Sequence, residues 1–301
     1  MKIGITSGTA NGTIAEITAE AAQVERDGFD SYWISQIFSH DALTVLALVG
    51  QKVPRIELGT AVVPTYPRHP MMLAQQGHTV NAAIDGRLCL GIGLSHKVVI
   101  EGMMGMSFDK PVRHLREYLS ILGPLSQTQK VSFAGETLTA RADIAIAGAK
   151  PFAIVVAALG EQMLRLTAAM ADGTLTWCTG PVTLAKLTVP TIRQEAEKLG
   201  RPAPRVIASF PVCVTKDVAG TRERIAKALT VYGQLPSYRA MLDLEGVGSP
   251  SEIAICGTAT EVVDRISALK EIGVSDFTAV EFGANPDEVA ATRAALKSLN
   301  K

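Results

Sequence analysis

The chain reads as an α/β protein whose strands and helices close a (β/α)8 barrel, a TIM barrel with insertions, and three observations predict it. Strand-like and helix-like patterns alternate from end to end of the 301 residues, and eight such units fit a closed barrel better than an open sheet. Two strand segments, Ile56 to Val63 and Arg87 to Gly93, are apolar runs without polar alternation, as expected of parallel strands covered on both faces. Glycines sit at the carboxyl ends of those runs, where α/β proteins place their chemistry and where a ligand can approach the backbone. One domain spanning residues 1–301 is expected, with insertions at about 103–150 and 235–255.

Each element follows from its residues. Ile3 to Thr6 is a short strand before a Gly/Asn turn at Gly8 to Asn11. Ile14, Ile17, Ala21 and Val24 fall at helical spacing, and Gly28 ends that helix. Ser31 to Ile34 is the second strand, and Ala42 to Val53 a helix ended before Pro54. Ile56 to Val63 is the third strand, running into Pro64-Thr65-Tyr66-Pro67. Pro70 opens a helix to Ala83, suited to its first turn. Arg87 to Gly93 is the fourth strand, breaking into Leu94-Ser95-His96.

Val112, Leu115, Leu119 and Leu122 then share a helix face, followed after Pro124 by a polar stretch and a small hairpin turning at Ala134-Gly135-Glu136. Phe152 to Ala157 is the fifth strand, before a helix carrying Met163, Leu164, Thr167 and Met170. Thr174 to Trp177 is the sixth strand, Leu184 to Leu199 a helix, and Val206 to Val214 the seventh strand. Ile225, Ala228, Leu229 and Tyr232 mark one helix, and Val262, Ile266 and Leu269 another that Gly273 closes. The Gly/Pro-rich stretch from Leu235 to Ile255 between them reads as an irregular insertion. Phe277 to Val280 is the eighth strand and Val289 to Leu299 the last helix.

Composition narrows the function. Hydrophobic residues make up 47% and charged residues 19%, enough for a large core. The formal net charge is zero and no Lys/Arg block stands out, so a nucleic-acid partner has no electrostatic footprint. No apolar run is long enough to span a membrane, and the N-terminus reads as a first strand rather than a signal peptide. Cys89, Cys178, Cys213 and Cys256 are far apart and read as buried free thiols, suiting a reducing cytoplasm.

Several residues at strand ends can carry chemistry. Gly91-Ile92-Gly93-Leu94-Ser95-His96 resembles the start of a dinucleotide fingerprint with His96 in place of the last Gly; it is a ligand turn or simply a tight one. His96, near a helix start, can offer a neutral imidazole to the barrel mouth or stand solvated at a helix end. Ala157-Ala158-Leu159-Gly160 precedes a helix, where free N–H groups favour an anion; a plain turn is the alternative. Thr179 can give a hydroxyl to a ligand, and Trp177 is core or stacking platform. Gln36 binds a heterocycle edge or caps a loop. Arg68 and His69 hold a charged tail or form a solvated rim, and Met103, Met104 and Met106 line a cleft or pack. No HExxH, GxSxG, P-loop or His/Asp metal set is present, so a bound organic cofactor is the economical source of reactivity.

Four segments carry a resemblance: Gly28-Phe29-Asp30-Ser31-Tyr32-Trp33, Leu58 to Val62, Gly86 to Gly93, and Ala171-Asp172-Gly173. Together they are similar to the luciferase-like monooxygenase superfamily. Ser95-His96 with Ser107 to Arg113 points to its branch that uses the deazaflavin coenzyme F-420. The resemblance implies a barrel with a non-proline cis peptide at Ala61–Val62, backing the deazaflavin ring. It implies ring contacts from Thr60, Ala61 and Val62, and a loop of Gly93, Leu94, Ser95 and His96, with Val99, along ring and ribityl chain. Ala158, Leu159 and Gly160 match the phosphate-binding turn. Where many relatives have an Asp-His pair this chain has Gln36-Ile37, which assigns Gln36 to cofactor binding rather than acid/base work. His96 stands where a sugar-phosphate-oxidising relative has Glu, so that substrate is not implied.

The function implied is an F-420-dependent oxidoreductase moving a hydride between the deazaflavin C5 and a small organic substrate, with His96 as its acid/base group. An FMN-dependent monooxygenase and a deazaflavin-binding protein without turnover are the alternatives. No strand-end Lys or carboxylate pair favours an aldolase or hydrolase. Relatives often form homodimers through barrel helices, so a homodimer is compatible with the resemblance.

Overall fold

The structure, a computed structural model, describes residues 1–7 and 12–300. The expected Gly/Asn turn at 8–11 lies outside the described residues. Eight strands follow in chain order: β1 Lys2–Thr6, β2 Ser31–Ile34, β3 Glu57–Thr60, β4 Leu88–Gly93, β5 Ala153–Val156, β6 Gly173–Thr176, β7 Arg205–Val214 and β8 Asp276–Glu281. All pair in parallel with their chain neighbours, β8 pairs with β1, and the barrel closes. Ten helices of nine residues or more surround or cap it among the described residues. They are α1 Ile14–Arg26, α2 Ala42–Gly50, α3 Pro70–Ala83, α4 Pro111–Thr128, α5 Glu161–Met170, α6 Val189–Lys198, α7 Val218–Ala228, α8 Pro236–Glu245, α9 Ala259–Ile272 and α10 Pro286–Ser298.

Two apolar layers fix the barrel. Ile3, Ile5, Leu58 and Leu90 belong to the layer shared with helix residues such as Ile17, Leu46 and Leu119. Trp33, Cys89, Val155, Leu175 and Ile207, from five different strands, fill the inside. A Cβ at Gly59 would stand 2.2 Å from Trp33 Cε3, so this position seats the indole only as glycine. At the amino ends of the strands Arg205 bonds Glu57 (2.8 and 3.0 Å) and Asp276 (2.5 Å), giving a half-buried cation its countercharges.

Several boundaries differ from the sequence reading. The third strand does not run through to Val63: it stops at Thr60, and Val63–Pro64 forms a separate short strand on β4. The helix opened at Ala42 stops at Gly50 rather than Val53. Pro124 does not end its helix, because α4 continues to Thr128. Gly123 before it has no Cβ to meet the proline ring, and Ser126 Oγ donates to the Gly123 carbonyl (2.8 Å). The helix read from Leu184 begins as a π turn over Leu184–Thr188, just ahead of Pro190, which has no N–H to give the preceding turn. The stretch read as irregular from Leu235 contains α8, and Ile255–Gly257 adds a strand on the upper part of β7.

Candidate active site

All eight strands point their carboxyl ends to one side, and the interruption of β3 lies on that side. The Ala61–Val62 peptide is cis. Both residues are half-buried and rest on the plug inside the barrel, forming part of the floor of its mouth. Gly93 faces them: a Cβ there would lie 2.7 Å from Val62 Cγ2 and 3.3 Å from Ala157 Cβ. The ends of β3, β4 and β5 therefore converge on a surface that one added methyl would crowd.

The other expected residues fall into two groups. Ser95 turns the chain through a left-handed φ of 60°, and His96 is half-buried at the start of the short helix Lys97–Ile100. Its ring makes no hydrogen bond within the protein among the described residues, and burial holds it below the ordinary histidine pKa, so it is neutral at pH 7. Leu94 and Val99 are half-buried beside it. Gly160 is exposed before α5, whose first turn has no side-chain cap; nothing stands within 4 Å of a Cβ built at Gly160. Leu159 is half-buried and Ala158 fully buried.

Five expected side chains are already engaged. Thr60 Oγ1 donates to the Gly91 carbonyl (2.7 Å) and accepts from the Gly91 N–H (2.9 Å), stitching β3 to β4 where the strand breaks. Thr179 is buried and donates to the Trp177 carbonyl at 3.2 Å. Gln36 Oε1 accepts the Ala42 N–H at 3.2 Å, satisfying an orphan donor at the start of α2. Arg68 is paired with Asp41 and bonds Gln76, and His69 Nδ1 accepts the Met71 N–H as N-cap of α3.

Sequence reasoning missed two aromatic groups. The first runs across the mouth: His96 to Tyr238 at 5.6 Å, Tyr238 to Tyr232 at 5.1 Å, and Tyr232 to Trp177 at 6.2 Å between ring centroids. Tyr238 is carried by α8, which Glu245 fastens to the turn after β6. The Glu245 carboxylate accepts from Val182 N–H (3.1 Å), Thr183 N–H (2.8 Å) and Thr183 Oγ1 (3.0 Å). The second group is a sandwich. Tyr66 lies flat on His114 (3.9 Å, 4°) and stacks on Phe108 (5.0 Å), while Thr65 Oγ1 meets His114 Nε2 at 3.0 Å. Burial, then Asp109 and Glu101, push Tyr66 up to about 12, and burial takes His114 down to about 4 against the pull of Glu117. No alternation of hydrophobicity signals either group; the only trace is aromatic residues near strand-end turns.

The charges and thiols add limits. Among the described residues no cluster of three metal-binding side chains occurs, and no helix is long and apolar enough to cross a membrane. All four cysteines are free and buried. A groove of about 420 Å³ lies between α2 and α3, lined by Thr44, Met72 and Gln76 among others.

A sequence model of the luciferase-like monooxygenases matches residues 1–276. The chain belongs to the luciferase-like monooxygenase family. It is thereby an oxidoreductase. Among family relatives it is similar to a 5,10-methylenetetrahydromethanopterin reductase of Archaeoglobus fulgidus, with 30% identity over 292 residues, 85% of this chain and 86% of the relative. A putative coenzyme F-420-dependent oxidoreductase of Mycobacterium tuberculosis is 28% identical over 296 residues, 93% of this chain and 84% of the relative. In fold, this luciferase-like chain superposes on an F-420-dependent secondary alcohol dehydrogenase solved with an F-420–acetone adduct, with a TM-score of 0.83, 19% identity, and coverage of 100% and 99%.

Proposed function

We propose that the chain is an F-420-dependent oxidoreductase acting on a small organic molecule in the cytoplasm. The observation that carries this reading is the likeness, over most of the chain, to relatives whose names specify F-420. The mouth suits such a cofactor on two counts. A flat ring needs an apolar floor, and Ala61 and Val62 supply one, with Val62 packed against Gly93 where a Cβ would otherwise stand. An anionic tail needs free N–H donors in a favourable field, and the uncapped, open start of α5 at Gly160 provides them. Four unpaired thiols suit a reducing compartment.

When bound, a deazaflavin supplies a hydride at its C5 carbon. The remaining work falls to the chain. Ala61, Val62 and Gly93 fix the ring plane, with Leu94, Ser95 and Val99 along its side chain. Thr60, whose hydroxyl is taken by Gly91, contributes through its backbone and by holding the break in place. Ala158 and Leu159 shape the tail turn that Gly160 opens. Gln36 keeps its amide nitrogen for a ring edge while its oxygen holds α2, and Thr179 shapes the far wall. His96, neutral and without a protein hydrogen bond, is the group that holds or passes a proton for the substrate. The aromatic roof excludes water while the substrate is positioned.

Titrating the purified protein with F-420 and, separately, with FMN tests the reading through fluorescence quenching. Saturable F-420 binding, at least about tenfold tighter than FMN, is expected. The reverse order identifies an FMN monooxygenase, and F-420 binding without reduction of any electrophile identifies a carrier.

A further inference from the structure

The wall formed by His96, Tyr238, Tyr232 and Trp177 bears on what the site accepts. We infer that this wall selects an uncharged, largely apolar substrate bearing a ring, and that Tyr238 is its specificity-determining side chain. This deepens, and rests on, the F-420 reading.

Geometry comes first. Tyr232 meets Trp177 edge-on (79°) and Tyr238 edge-on (83°), and His96 is tilted 53° to Tyr238. Edge-to-face contacts leave ring faces at the wall's surface, to which another ring can add. Both tyrosines are half-buried, so the wall is neither core nor open surface.

Lys97, next to His96, reaches Glu101 at 3.7 Å. Arg239, next to Tyr238, bonds Asp243 (2.8 Å) and the carbonyls of Gly248 (2.8 Å) and Val247 (2.5 Å). Glu245 is committed to Val182 and Thr183. Arg239 and Glu245 are thus committed to the protein itself, while Lys97 stands largely in solvent with a long contact to Glu101. What shifts the wall's titratable groups agrees. Burial alone lowers His96, burial followed by Cys178 raises Tyr232, and burial followed by Tyr232 and Cys178 raises Tyr238, with no carboxylate, Lys or Arg among the causes.

A phosphate or carboxylate brought against these rings loses water and gains no countercharge from them, which weakens its binding. A neutral ring loses nothing of the kind. The hydroxyls of Tyr232 and Tyr238 make no hydrogen bond to the protein among the described residues, so each can orient one polar handle on an otherwise apolar molecule. Met103, Met104 and Met106, exposed on the turn after His96, add a rim that adapts to apolar shapes.

Ligand-observed NMR with matched fragments tests this on the full chain, with and without saturating F-420. The probes are acetophenone, cyclohexenone, 4-acetylbenzoate and phenyl phosphate. Acetophenone or cyclohexenone is expected to bind at least about tenfold tighter than either anion, and Tyr238→Ala to abolish that preference while F-420 affinity stays within about twofold. Tyr238→Phe, which keeps the ring, is expected to retain it. Tighter binding of an anion, no binding of either neutral probe, or a preference unchanged in Tyr238→Ala overturns the inference. Failure of F-420 to bind, with the neutral preference intact, removes the functional reading and leaves the wall's selectivity standing.

Discussion

The rings of His96 and Tyr238 lie 5.6 Å apart, although they belong to connections leaving β4 and β7, which β5 and β6 separate in the barrel. The two connections therefore meet above the ends of β5 and β6. The contact depends on where α8 sits; α8 is fastened to the turn after β6 by the Glu245 carboxylate and by Thr183 Oγ1, which also donates to the Met241 carbonyl (3.1 Å).

Glu245→Ala leaves the Val182 and Thr183 donors without their acceptor, and Thr183 is fully buried. Stability is expected to fall by about 1–3 kcal/mol. Denaturant unfolding measures that loss, and steady-state kinetics should show a raised KM with F-420 affinity nearly unchanged. A weakened cofactor site with KM unaltered would contradict this placement of α8.

Gly93→Ala puts a methyl 2.7 Å from Val62 Cγ2 on the floor of the mouth. Val62 must shift, and the cofactor affinity is expected to drop about tenfold, near 1.4 kcal/mol. Titration of the variant, with thermal unfolding as a check that the fold survives, reads this directly.

Acid sensitivity follows from two groups at α4. Burial depresses His114 to about 4 from an ordinary 6.5, so the unfolded chain binds the extra proton first. Its contribution is complete above about 6.5 and is lost as pH falls toward 4. Burial opposes ionisation of Glu117, but bonds from Thr137, Leu138 and Glu136 outweigh it and hold the carboxyl at about 2. That contribution is present above the ordinary carboxylate range and is lost as pH falls toward 2. Unfolding midpoints measured from pH 7 to 3 should decline throughout, and His114→Phe should flatten the limb between 6.5 and 4 while keeping the stack on Tyr66.

The proton-carrying role proposed for His96 gives turnover its own acid limb. A histidine held below its ordinary value by burial stays neutral through pH 7 and takes up its proton only in more acidic solution. The rate should be flat near neutrality and fall on the acid side, and His96→Gln should lower the plateau and remove that limb. A limb that survives in His96→Gln belongs to another group.

Much of the barrel was legible because its signals are local. Pro70 at a helix start and helical spacing to Ala83 mark α3 with both observed bounds, and the alternation of strand-like with helix-like patterns marks all eight strands. The break in β3 was not visible in apolar composition, since Ala61 and Val62 suit a strand; only the resemblance pointed to the cis peptide there. Pro124 looked like a stop because a single residue type was weighed without Gly123, whose missing side chain lets the helix pass. The roof was illegible for a different reason. Tyr238 matters through contacts with His96 and Tyr232 made across the mouth, and flanking Gly and Pro residues hid α8. The Thr179 hydroxyl looked available to a ligand because sequence does not show that the Trp177 carbonyl already accepts it.

The most direct measurement is a crystal structure of the protein soaked with F-420. The ring is expected against Ala61–Val62 and Gly93, with His96 at its side and the phosphate at the start of α5 beside Gly160. Density for the ring away from that floor, or a phosphate held by side chains elsewhere, would contradict it.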